Sequence, residues 1–393
     1  MLHSAVVEVR QHLCCANVFL KFKQSLNETE SLKINVDENK VQLQNPKCTA
    51  EIFVNKYFTI LAGTFSNLIV DVENAAFRIS IKDVKIDDPQ NQKDEKIAGQ
   101  LNLVEQDVAS VLCCNCKTTL VAPQKYEKIR EFPSGAIDVS EFFCHHGPCF
   151  KDVLVPKSKD LFYGFQFIVL NREVVENSTR EKENHLYCKR CLRYLGETLF
   201  NGKAAKLWCD SLHLDLKGNI MDILAYSAQS KIHKLMLKAI EETSLPSPEP
   251  LLRNMHFTKV LLEASFPDRR SQFLLVHILE KHLPVLILEQ CEEKLTRGLS
   301  TNTCIELKPC KAFKILYRSI ASEDEEAVNN NDEELNKRPP LLEYWQQDIN
   351  ILKMKISPFL FSAFHEELGQ NINVLPEIYR VNNDDFLLSY IFY

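Results

Sequence analysis

Two pairs of cysteines constrain the fold of this chain more than any other feature of its sequence. Cys113 and Cys116 form the first pair, Cys188 and Cys191 form the second, and the two thiols of each pair stand three residues apart. A tight turn with this spacing aims both sulfurs at a common ion, and two such turns supply four tetrahedral ligands. The sequence therefore predicts a structural Zn²⁺ held by Cys113, Cys116, Cys188 and Cys191.

The two pairs are separated by 72 positions, counted from Cys116 to Cys188. A simple zinc ribbon uses a much shorter connection, so the strands between the pairs have to return the chain to the first turn. The alternative is that the four residues are buried free thiols, which are common in protein cores. A redox dithiol is disfavoured, because neither pair opens a helix in a βαβ context.

A second group of potential ligands lies between the two pairs. Cys144, His145, His146 and Cys149 could complete another metal site or replace one ligand of the first site. The alternative is a turn in which a histidine hydrogen-bonds a carbonyl group. Cys114 is interpreted as a bystander beside the first pair. We expect burial of the remaining cysteines, namely Cys14, Cys15, Cys48, Cys209, Cys291, Cys304 and Cys310.

The number of cysteines also bears on the compartment. The chain has 393 residues and fourteen cysteines, and Met1 to Leu20 contains no uninterrupted apolar core of a signal peptide. We therefore expect a cytoplasmic protein, with the nucleus as a second location, that uses its paired cysteines for metal rather than for disulfides. The apolar stretch from Phe273 to Glu289 contains charged residues and Pro284, so it is predicted to be core rather than membrane.

The net charge of −6 arises mostly from one acidic segment. Ala321 to Pro340 holds seven acidic residues against Lys337 and Arg338, and the rest of the chain has 45 basic and 46 acidic side chains. This segment is predicted to be a disordered acidic loop. A nearly neutral remainder argues against direct binding of nucleic acid. The sequence also shows no Ser-His-Asp arrangement, phosphate-binding glycine loop or HExxH helix, so it gives no support to hydrolase or nucleotide-dependent functions.

Apolar residues near the N-terminus alternate with a period of two, which predicts strands with one solvated face. A polar break from Asp37 to Asn39 separates the first two runs, and Glu73 with Asn74 separates the last two, so both pairs are predicted to be antiparallel hairpins. The alternating residues are Leu32, Ile34 and Val36, then Val41 and Leu43, then Leu68, Val70 and Val72, and finally Phe77, Ile79 and Ile81.

The predicted fold class is α+β, mostly antiparallel β, with a zinc-bearing central region, a few helices and two linked lobes. The clearest helix is expected from Ile220 to Glu242, and a shorter one is expected to begin at Ser357 and Pro358 and to end at Gly369. The predicted domains are an N-terminal antiparallel β region (1–105), a zinc-bearing β region that ends in the long helix (106–245), and a C-terminal α+β lobe with the acidic loop (251–393).

The order of several motifs carries a resemblance to a known family. The first cysteine pair is followed by Glu131-Phe132-Pro133-Ser134, by Cys144-His145, and by the second pair with Leu195-Gly196. The tail contains Val374-Leu375-Pro376-Glu377-Ile378-Tyr379-Arg380. From about residue 107 onwards this order resembles the HECT-like ubiquitin ligase family, in which a Pro-Ser turn, a Trp-x-Cys-His element, a CxxC with Leu-Gly and a closing Leu-Pro…Arg pattern follow one another. This chain has the Cys-His of the second element without its tryptophan.

The resemblance implies ubiquitin-protein ligase activity, a ubiquitin-conjugating enzyme as partner and a protein client. The family is also linked to the endonuclease of messenger RNA 3′-end processing, which makes that enzyme one candidate client. A HECT-type mechanism needs a cysteine in the C-terminal lobe, and no cysteine follows Cys310. The sequence therefore names no catalytic residue, and a non-catalytic protein that stabilises or escorts a client stays open as the alternative. The oligomeric state also stays open.

Overall fold

The structure, a computed structural model, describes residues 2–23, 32–44, 48–86, 101–132, 154–224, 228–243, 258–267, 270–288, 301–321, 339–381 and 385–393. The chain divides into two compact units. Unit 1 contains Met1–Glu95, Val276–Arg318 and His365–Tyr393, and unit 2 contains Lys96–Leu275 and Ser319–Phe364. These units group residues by proximity, so the division into domains at 1–105, 106–245 and 251–393 stays a prediction.

The described residues are mostly strand with a few helices, which agrees with the predicted α+β class. The strands are β1 (Leu2–Arg10), β2 (Cys15–Phe22), β3 (Lys33–Val36), β4 (Lys40–Gln44), β5 (Cys48–Phe53), β6 (Thr59–Ile60), β7 (Ser66–Val70), β8 (Asn74–Lys82), β9 (Val108–Cys113), β10 (Thr119–Lys125), β11 (Lys128–Glu131), β12 (Asp160–Gly164), β13 (Phe167–Asn171), β14 (Thr179–Lys182), β15 (His185–Cys188), β16 (Tyr194–Leu199), β17 (Ala204–Trp208), β18 (Leu212–Leu216), β19 (Asn219–Asp222), β20 (Thr258–Ser265), β21 (Ser271–Leu288), β22 (Thr301–Ile305), β23 (Leu307–Ala321), β24 (Leu352–Lys355) and β25 (Leu387–Phe392). The α-helices are α1 (Glu173–Glu176), α2 (Ala228–Thr243), α3 (Pro340–Gln347), α4 (Pro358–Asn371) and α5 (Glu377–Arg380).

Unit 1 is built around two sheets that share a core. In the first sheet β1 pairs antiparallel with β2 and with the later part of β21, and β8 follows β2. The second sheet has the order β22-β5-β4-β3, in which only β22 and β5 are parallel. Leu20 and Ile79 of the first sheet and Leu43 and Ile52 of the second belong to one buried apolar cluster. Both predicted hairpins, β3 with β4 and β7 with β8, are confirmed.

The apolar residues in and directly after β7 correct one part of the hairpin prediction. Leu68 and Val70 are each 49% exposed and Val72 is 66% exposed, although the alternation predicts a buried apolar face. The β7 strand pairs with β8, whose Phe77, Ile79 and Ile81 are buried in its place. Alternation reports the period of a strand but not which face the protein covers, so it could not distinguish these two strands.

A buried carboxylate joins five strands of unit 1. Glu8 of β1 is fully buried, and its oxygens lie 2.7 Å from Lys314 Nζ on β23 and 3.1 Å from Arg10 Nη2 on its own strand. Asn17 Nδ2 of β2 donates to it at 2.9 Å and the Tyr390 hydroxyl of β25 at 2.6 Å. Arg10 in turn pairs with Glu280 of β21. Burial alone raises the pKa of Glu8, but Lys314 and Arg10 outweigh that effect and lower it to about 2.

Unit 2 also combines two sheets around one core. The four-stranded sheet has the order β10-β9-β18-β19, and the seven-stranded sheet has the order β11-β12-β13-β17-β16-β15-β14. Val111 and Leu214 of the first sheet and Ile168 and Leu207 of the second lie in the same buried apolar cluster. The two sheets matter for the site because β9 ends at Cys113 and β15 ends at Cys188.

The predicted helix from Ile220 is wrong over its first part. Asn219 to Asp222 form β19, which pairs antiparallel with β18, and the helix begins at Ala228. The reason is a hairpin turn in which Lys217 and Gly218 both adopt positive φ values, 54° and 90°, and the Gly218 N–H donates to Asp215 Oδ1 at 2.7 Å. The remaining stripe of the predicted helix is confirmed, since Ile232, Leu235 and Ala239 are buried on α2.

The shorter predicted helix begins where the sequence indicates. The Leu360 N–H donates to Ser357 Oγ at 3.0 Å, so Ser357 caps α4 with Pro358 in the first turn. The helix continues to Asn371, two residues beyond the predicted end at Gly369. Within the described ranges, no helix combines the length and apolar character needed to cross a membrane. The predicted acidic loop lies almost wholly outside the described residues.

Candidate metal centre

The first cysteine pair lies on a tight turn between β9 and β10. Cys113 is the last residue of β9, and its N–H donates to the Thr118 carbonyl at 2.9 Å. The Lys117 N–H donates back to the Cys113 carbonyl at 2.9 Å. Lys117 itself is left-handed, with φ of 57°. These bonds fold the chain so that Cys116 returns toward Cys113.

The second pair lies on a turn with the same backbone pattern. Cys188 ends β15, its N–H donates to the Arg193 carbonyl at 2.9 Å, and the Leu192 N–H donates to the Cys188 carbonyl at 2.9 Å. Leu192 is left-handed with φ of 58°. The two turns therefore match position for position, although one belongs to the four-stranded sheet and the other to the seven-stranded sheet. We call them knuckle 1 (Cys113–Thr118) and knuckle 2 (Cys188–Arg193).

The two knuckles bring their four sulfurs together. All four Sγ atoms lie within 4.8 Å of one another. Cys113 Sγ is 3.7 Å from Cys191 Sγ, and Cys116 Sγ is 3.6 Å from Cys188 Sγ. Ligands about 2.3 Å from a tetrahedral zinc ion lie about 3.8 Å apart, so the observed spacing fits the predicted ion. The four cysteines are close enough to hold a metal ion, and their chemistry and spacing are compatible with zinc.

Burial divides the four thiols into two kinds. Cys113 and Cys188 are buried, whereas Cys116 and Cys191 are half-buried. Burial raises the pKa of Cys113 to about 12 and raises that of Cys188 in the same direction. Hydrogen bonding from Thr118 lowers the pKa of Cys116 to about 6. For Cys191, burial acts against ionisation, but the Arg193 N–H and the Asn115 side chain outweigh it and lower the pKa. A bound cation would favour the thiolate form of all four.

Donors from the knuckles themselves surround the sulfurs. The N–H groups of Asn115 and Cys116 act on Cys113, and those of Arg190 and Cys191 act on Cys188. The Thr118 hydroxyl lies 3.3 Å from Cys116 Sγ. Such N–H and O–H donors stabilise thiolates and orient metal ligands. The donors therefore favour the thiolate form of each sulfur, although at Cys113 and Cys188 burial outweighs them.

A side chain of knuckle 2 also contacts knuckle 1. Arg190 Nη1 lies 3.4 Å from Thr118 Oγ1, so one threonine touches both a ligand and the opposite knuckle. Sequence reasoning missed Thr118 and Arg190, because their contact joins residues 72 positions apart. A hydroxyl two residues after the second cysteine of a pair was the available signal for Thr118.

The remaining residues near the cysteine pairs are Cys114 and the second group of potential ligands. Cys114 does not belong to the group of converging thiols; its N–H donates to the Ser211 carbonyl at 3.0 Å. Cys144, His145, His146 and Cys149 lie outside the described residues, so their role as a second site stays a prediction.

The expectation of burial for the remaining cysteines is confirmed for Cys15 and Cys209 and is wrong for Cys14 and Cys304, which are exposed. Cys14 lies in a left-handed turn with φ of 47°, and Cys304 lies on β22 at the edge of its sheet. Cys310 is half-buried. Cys291 and the side chain of Cys48 lie outside the described residues.

Together these features define a β-rich protein in which four cysteines on two matching turns can hold a metal ion. Comparison with known families gives the class a more specific form: the chain belongs to the family described as HECT-like ubiquitin-conjugating enzyme (E2)-binding, which matches residues 8–387. The resemblance noted in the sequence is thereby confirmed, and it extends over nearly the whole chain. The partner that the family description implies is a ubiquitin-conjugating enzyme.

One similar curated protein is an E3 ubiquitin-protein ligase of Rattus norvegicus. It is 28% identical to this chain over 100 residues, which cover 25% of this chain and 27% of the relative. The match thus spans about a quarter of each protein. No solved structure matches the chain.

Proposed function

We propose that this chain is a ubiquitin-protein ligase that binds a ubiquitin-conjugating enzyme and promotes the transfer of ubiquitin to a protein client. The observation that carries this function is the family match over residues 8–387, since the family is described by its binding to that enzyme. The rat relative, itself named a ubiquitin-protein ligase, supports the transfer step over the quarter of the chain that it matches.

In this function, Cys113, Cys116, Cys188 and Cys191 hold a structural Zn²⁺. Four protein thiolates complete a tetrahedral shell and leave no position for a reacting water, which is the pattern of structural rather than catalytic zinc. When bound, the ion supplies the positive charge that four thiolates need. The knuckles supply the ligands and the N–H donors, and they fix the ends of β9 and β15 within unit 2.

The transfer step has no cysteine relay in this proposal. Cys310 is the last cysteine within the family match, and burial raises its pKa to about 11, so its thiol is protonated at neutral pH and is a poor nucleophile. The amine of a client lysine would instead attack the ubiquitin thioester on the conjugating enzyme. A nitrogen–carbon bond forms, the carbon–sulfur bond breaks, and the thiol leaves on that enzyme. The chain accelerates the step by holding both reactants together.

The test is a single-turnover discharge assay. A conjugating enzyme charged with ubiquitin is mixed with free lysine or with a client, and the loss of thioester is followed with and without the full-length protein. We expect faster discharge and no reducible ubiquitin adduct on the chain itself. Cys14→Ser, Cys304→Ser and Cys310→Ser should each discharge at the wild-type rate. A reducible adduct that one of these variants abolishes contradicts the proximity mechanism, and no acceleration across several conjugating enzymes contradicts the ligase function.

A second candidate function is non-catalytic binding that stabilises or escorts a client, and the half-buried, protonated thiol of Cys310 favours it. The client proposed for either function is the endonuclease of messenger RNA 3′-end processing, which would place the protein in the cytoplasm and the nucleus. A pull-down with the purified endonuclease tests this client. If the client level in cells is restored equally by a variant that cannot bind a conjugating enzyme, the escort function replaces the ligase function. If the endonuclease is not retained, it is removed as the client of both.

A further inference from the structure

The exposed side chains of the two knuckles form a basic surface. We define the knuckle surface as Lys117, Lys189, Arg190, Leu192 and Arg193. The first four are exposed and Arg193 is half-buried. Among the residues that the structure describes, none of the four cations of this surface forms an ion pair with a carboxylate. Their charges are therefore available to a partner.

Several contacts connect the basic side chains to the knuckles and their surroundings. Arg190 reaches knuckle 1 through its contact with Thr118, and Lys189 Nζ lies 3.5 Å from the Asn177 carbonyl. Arg193 of knuckle 2 and Lys117 of knuckle 1 both act electrostatically on the same thiol, that of Cys114. Cations from two segments that are far apart in sequence therefore lie near the same thiol.

In both knuckles a residue other than glycine occupies a left-handed backbone conformation. Lys117 and Leu192 occupy equivalent left-handed positions, with φ of 57° and 58°. Glycine adopts this conformation without penalty, whereas the side chain of another residue makes it less favourable. Knuckle 2 nevertheless presents a leucine that is 58% exposed, and knuckle 1 presents an exposed lysine. Positive φ values occur at other non-glycine residues of the described chain as well, so the exposed side chains at these two positions, rather than their backbone, carry the argument.

The charge of the metal centre does not cancel the surface. Four thiolates and one Zn²⁺ carry a formal charge of about −2, which four cations exceed. Asp210 also acts on Cys114 and is hydrogen-bonded to Ser357. Its carboxylate lowers the local positive charge by one more elementary charge. The surface stays positive on a chain whose net charge is −6. This separation of charge favours a partner that presents carboxylates.

We propose that the knuckle surface binds an acidic segment of a protein partner, whose carboxylates pair with Lys117, Lys189 and Arg190 while an apolar side chain packs on Leu192. A protein fits better than a nucleic acid, because single-stranded nucleic acids use exposed aromatic side chains for stacking and none of the five residues is aromatic. The negative chain as a whole also repels a long polyanion. This binding requires closed knuckles but not ligase activity.

Fluorescence anisotropy of the zinc-loaded full-length protein tests the proposal. The probes are fluorescein-labelled peptides of about twelve residues that are rich in glutamate and carry one leucine, placed at a different position in each peptide. For the tightest peptide, Lys189→Glu with Arg190→Glu should weaken binding at least about tenfold, since two attractive pairs become repulsive. The matched control is Lys128→Glu with Arg130→Glu, which makes the same change of charge on β11. In the seven-stranded sheet β11 is the edge strand farthest in strand order from β15, where knuckle 2 begins. It should change affinity by less than about twofold, because it lies beyond the screening distance.

A second arm tests the apolar contact. Leu192→Ser should weaken binding of the leucine peptide but not of the same peptide with serine in place of leucine. Metal analysis must give equal zinc content for all variants, and Lys189→Gln with Arg190→Gln replaces the reversed pair if that pair loses zinc. Equal losses in the knuckle and β11 variants overturn the proposal. The proposal is also overturned if a single-stranded RNA of the same charge binds more tightly than the peptide. It is overturned as well if Leu192→Ser weakens binding of the leucine peptide and the serine peptide equally. Because the readout is binding alone, absence of ubiquitin transfer does not decide it.

Discussion

The two units bury polar groups from distant segments in different ways. In unit 1 the Glu8 carboxylate meets Lys314 and Arg10, so the chain itself supplies the balancing charge. In unit 2 the four sulfurs of the two knuckles face one another within 4.8 Å, and the groups that contact them are mainly N–H donors and one hydroxyl. Four thiolates so close together repel one another unless a cation lies between them.

This difference indicates which unit needs a bound metal ion in order to fold. A carboxylate with two cations and two neutral donors is satisfied once the strands have assembled, so unit 1 should fold without any added ion. The knuckles are satisfied only when a metal balances the thiolates, so the folding of unit 2 should be linked to zinc. Changes that act on one unit and spare the other are therefore the most direct tests of the comparison.

The largest effect should follow loss of one of the four proposed zinc ligands. Cys113→Ser or Cys188→Ser should abolish soluble expression or leave unit 2 unfolded, since structural zinc contributes on the order of 10 kcal/mol to folding. Unit 1 should keep its protection in hydrogen exchange measured by mass spectrometry. Zinc content of the purified protein, measured by elemental analysis, should be one ion per chain if the second cluster binds no metal.

The matched control is Cys114→Ser, in the same turn but outside the group of converging thiols. It should retain zinc and the exchange protection of unit 2. Two results would contradict the dependence of unit 2 on zinc. One is wild-type protein that is folded and free of zinc, and the other is a Cys113→Ser variant whose unit 2 is as protected as in wild type.

The second largest effect should be confined to unit 1. Glu8→Gln keeps the shape of the side chain but leaves the half-buried Lys314 without a carboxylate and Arg10 with Glu280 alone, which should cost up to about 3 kcal/mol. Denaturant unfolding followed by hydrogen exchange should show this loss in unit 1. The control is Glu51→Gln, which breaks the solvent-accessible pair with Lys40 and should cost far less than Glu8→Gln. Equal costs for the two variants would show that burial of Glu8 does not set its contribution.

Sequence predicts one of these two clusters and not the other, for a physical reason. The spacing of Cys113 and Cys116 is local, so a tight turn can be inferred without knowledge of the fold. The partners of Glu8 stand 306 and 382 positions away, at Lys314 and Tyr390, and no local pattern connects them. The only sign was a charged residue within the apolar run of β1, where Val7 and Val9 flank Glu8.

The same reasoning explains the misplaced helix start. The stripe from Ile220 to Ala239 has helical period, and Ile232, Leu235 and Ala239 do lie on the buried face of α2. The Lys217-Gly218 turn is a hairpin signal that competes with this period over Asn219 to Asp222. Pairing with β18 decides in favour of the strand, and β18 in turn pairs with β9, which carries Cys113. Such long-range pairing is not contained in a local window of sequence.

Acid should separate the units in a further way. The pKa of Glu8 is about 2 in the folded chain against an ordinary value of 4.5, so its contribution is fully present above about pH 4.5 and is lost as the pH falls toward 2. The shift corresponds to roughly 3 kcal/mol at most. Stability of unit 1, measured by denaturant titration at several pH values, should fall in this window in wild type and change much less in Glu8→Gln. A parallel decline in the variant would assign the acid sensitivity to other carboxyl groups.

The smallest predicted effect concerns the strand that follows knuckle 2. Gly196 of β16 lies so close to β17 that a Cβ would stand 2.0 Å from the Lys206 carbonyl oxygen and 2.9 Å from Leu207 Cα. Both neighbours are backbone, so Gly196→Ala has to move the strands apart and should cost about 1–3 kcal/mol in unit 2. Gly369→Ala on α4 has open space around the added methyl and should be neutral or slightly stabilising. If Gly196→Ala lowers stability without lowering zinc affinity, the knuckle closes independently of its sheet. If both fall together, the sheet positions the ligands, and the dependence of unit 2 on its metal runs through β16 and β17 as well as through the thiols.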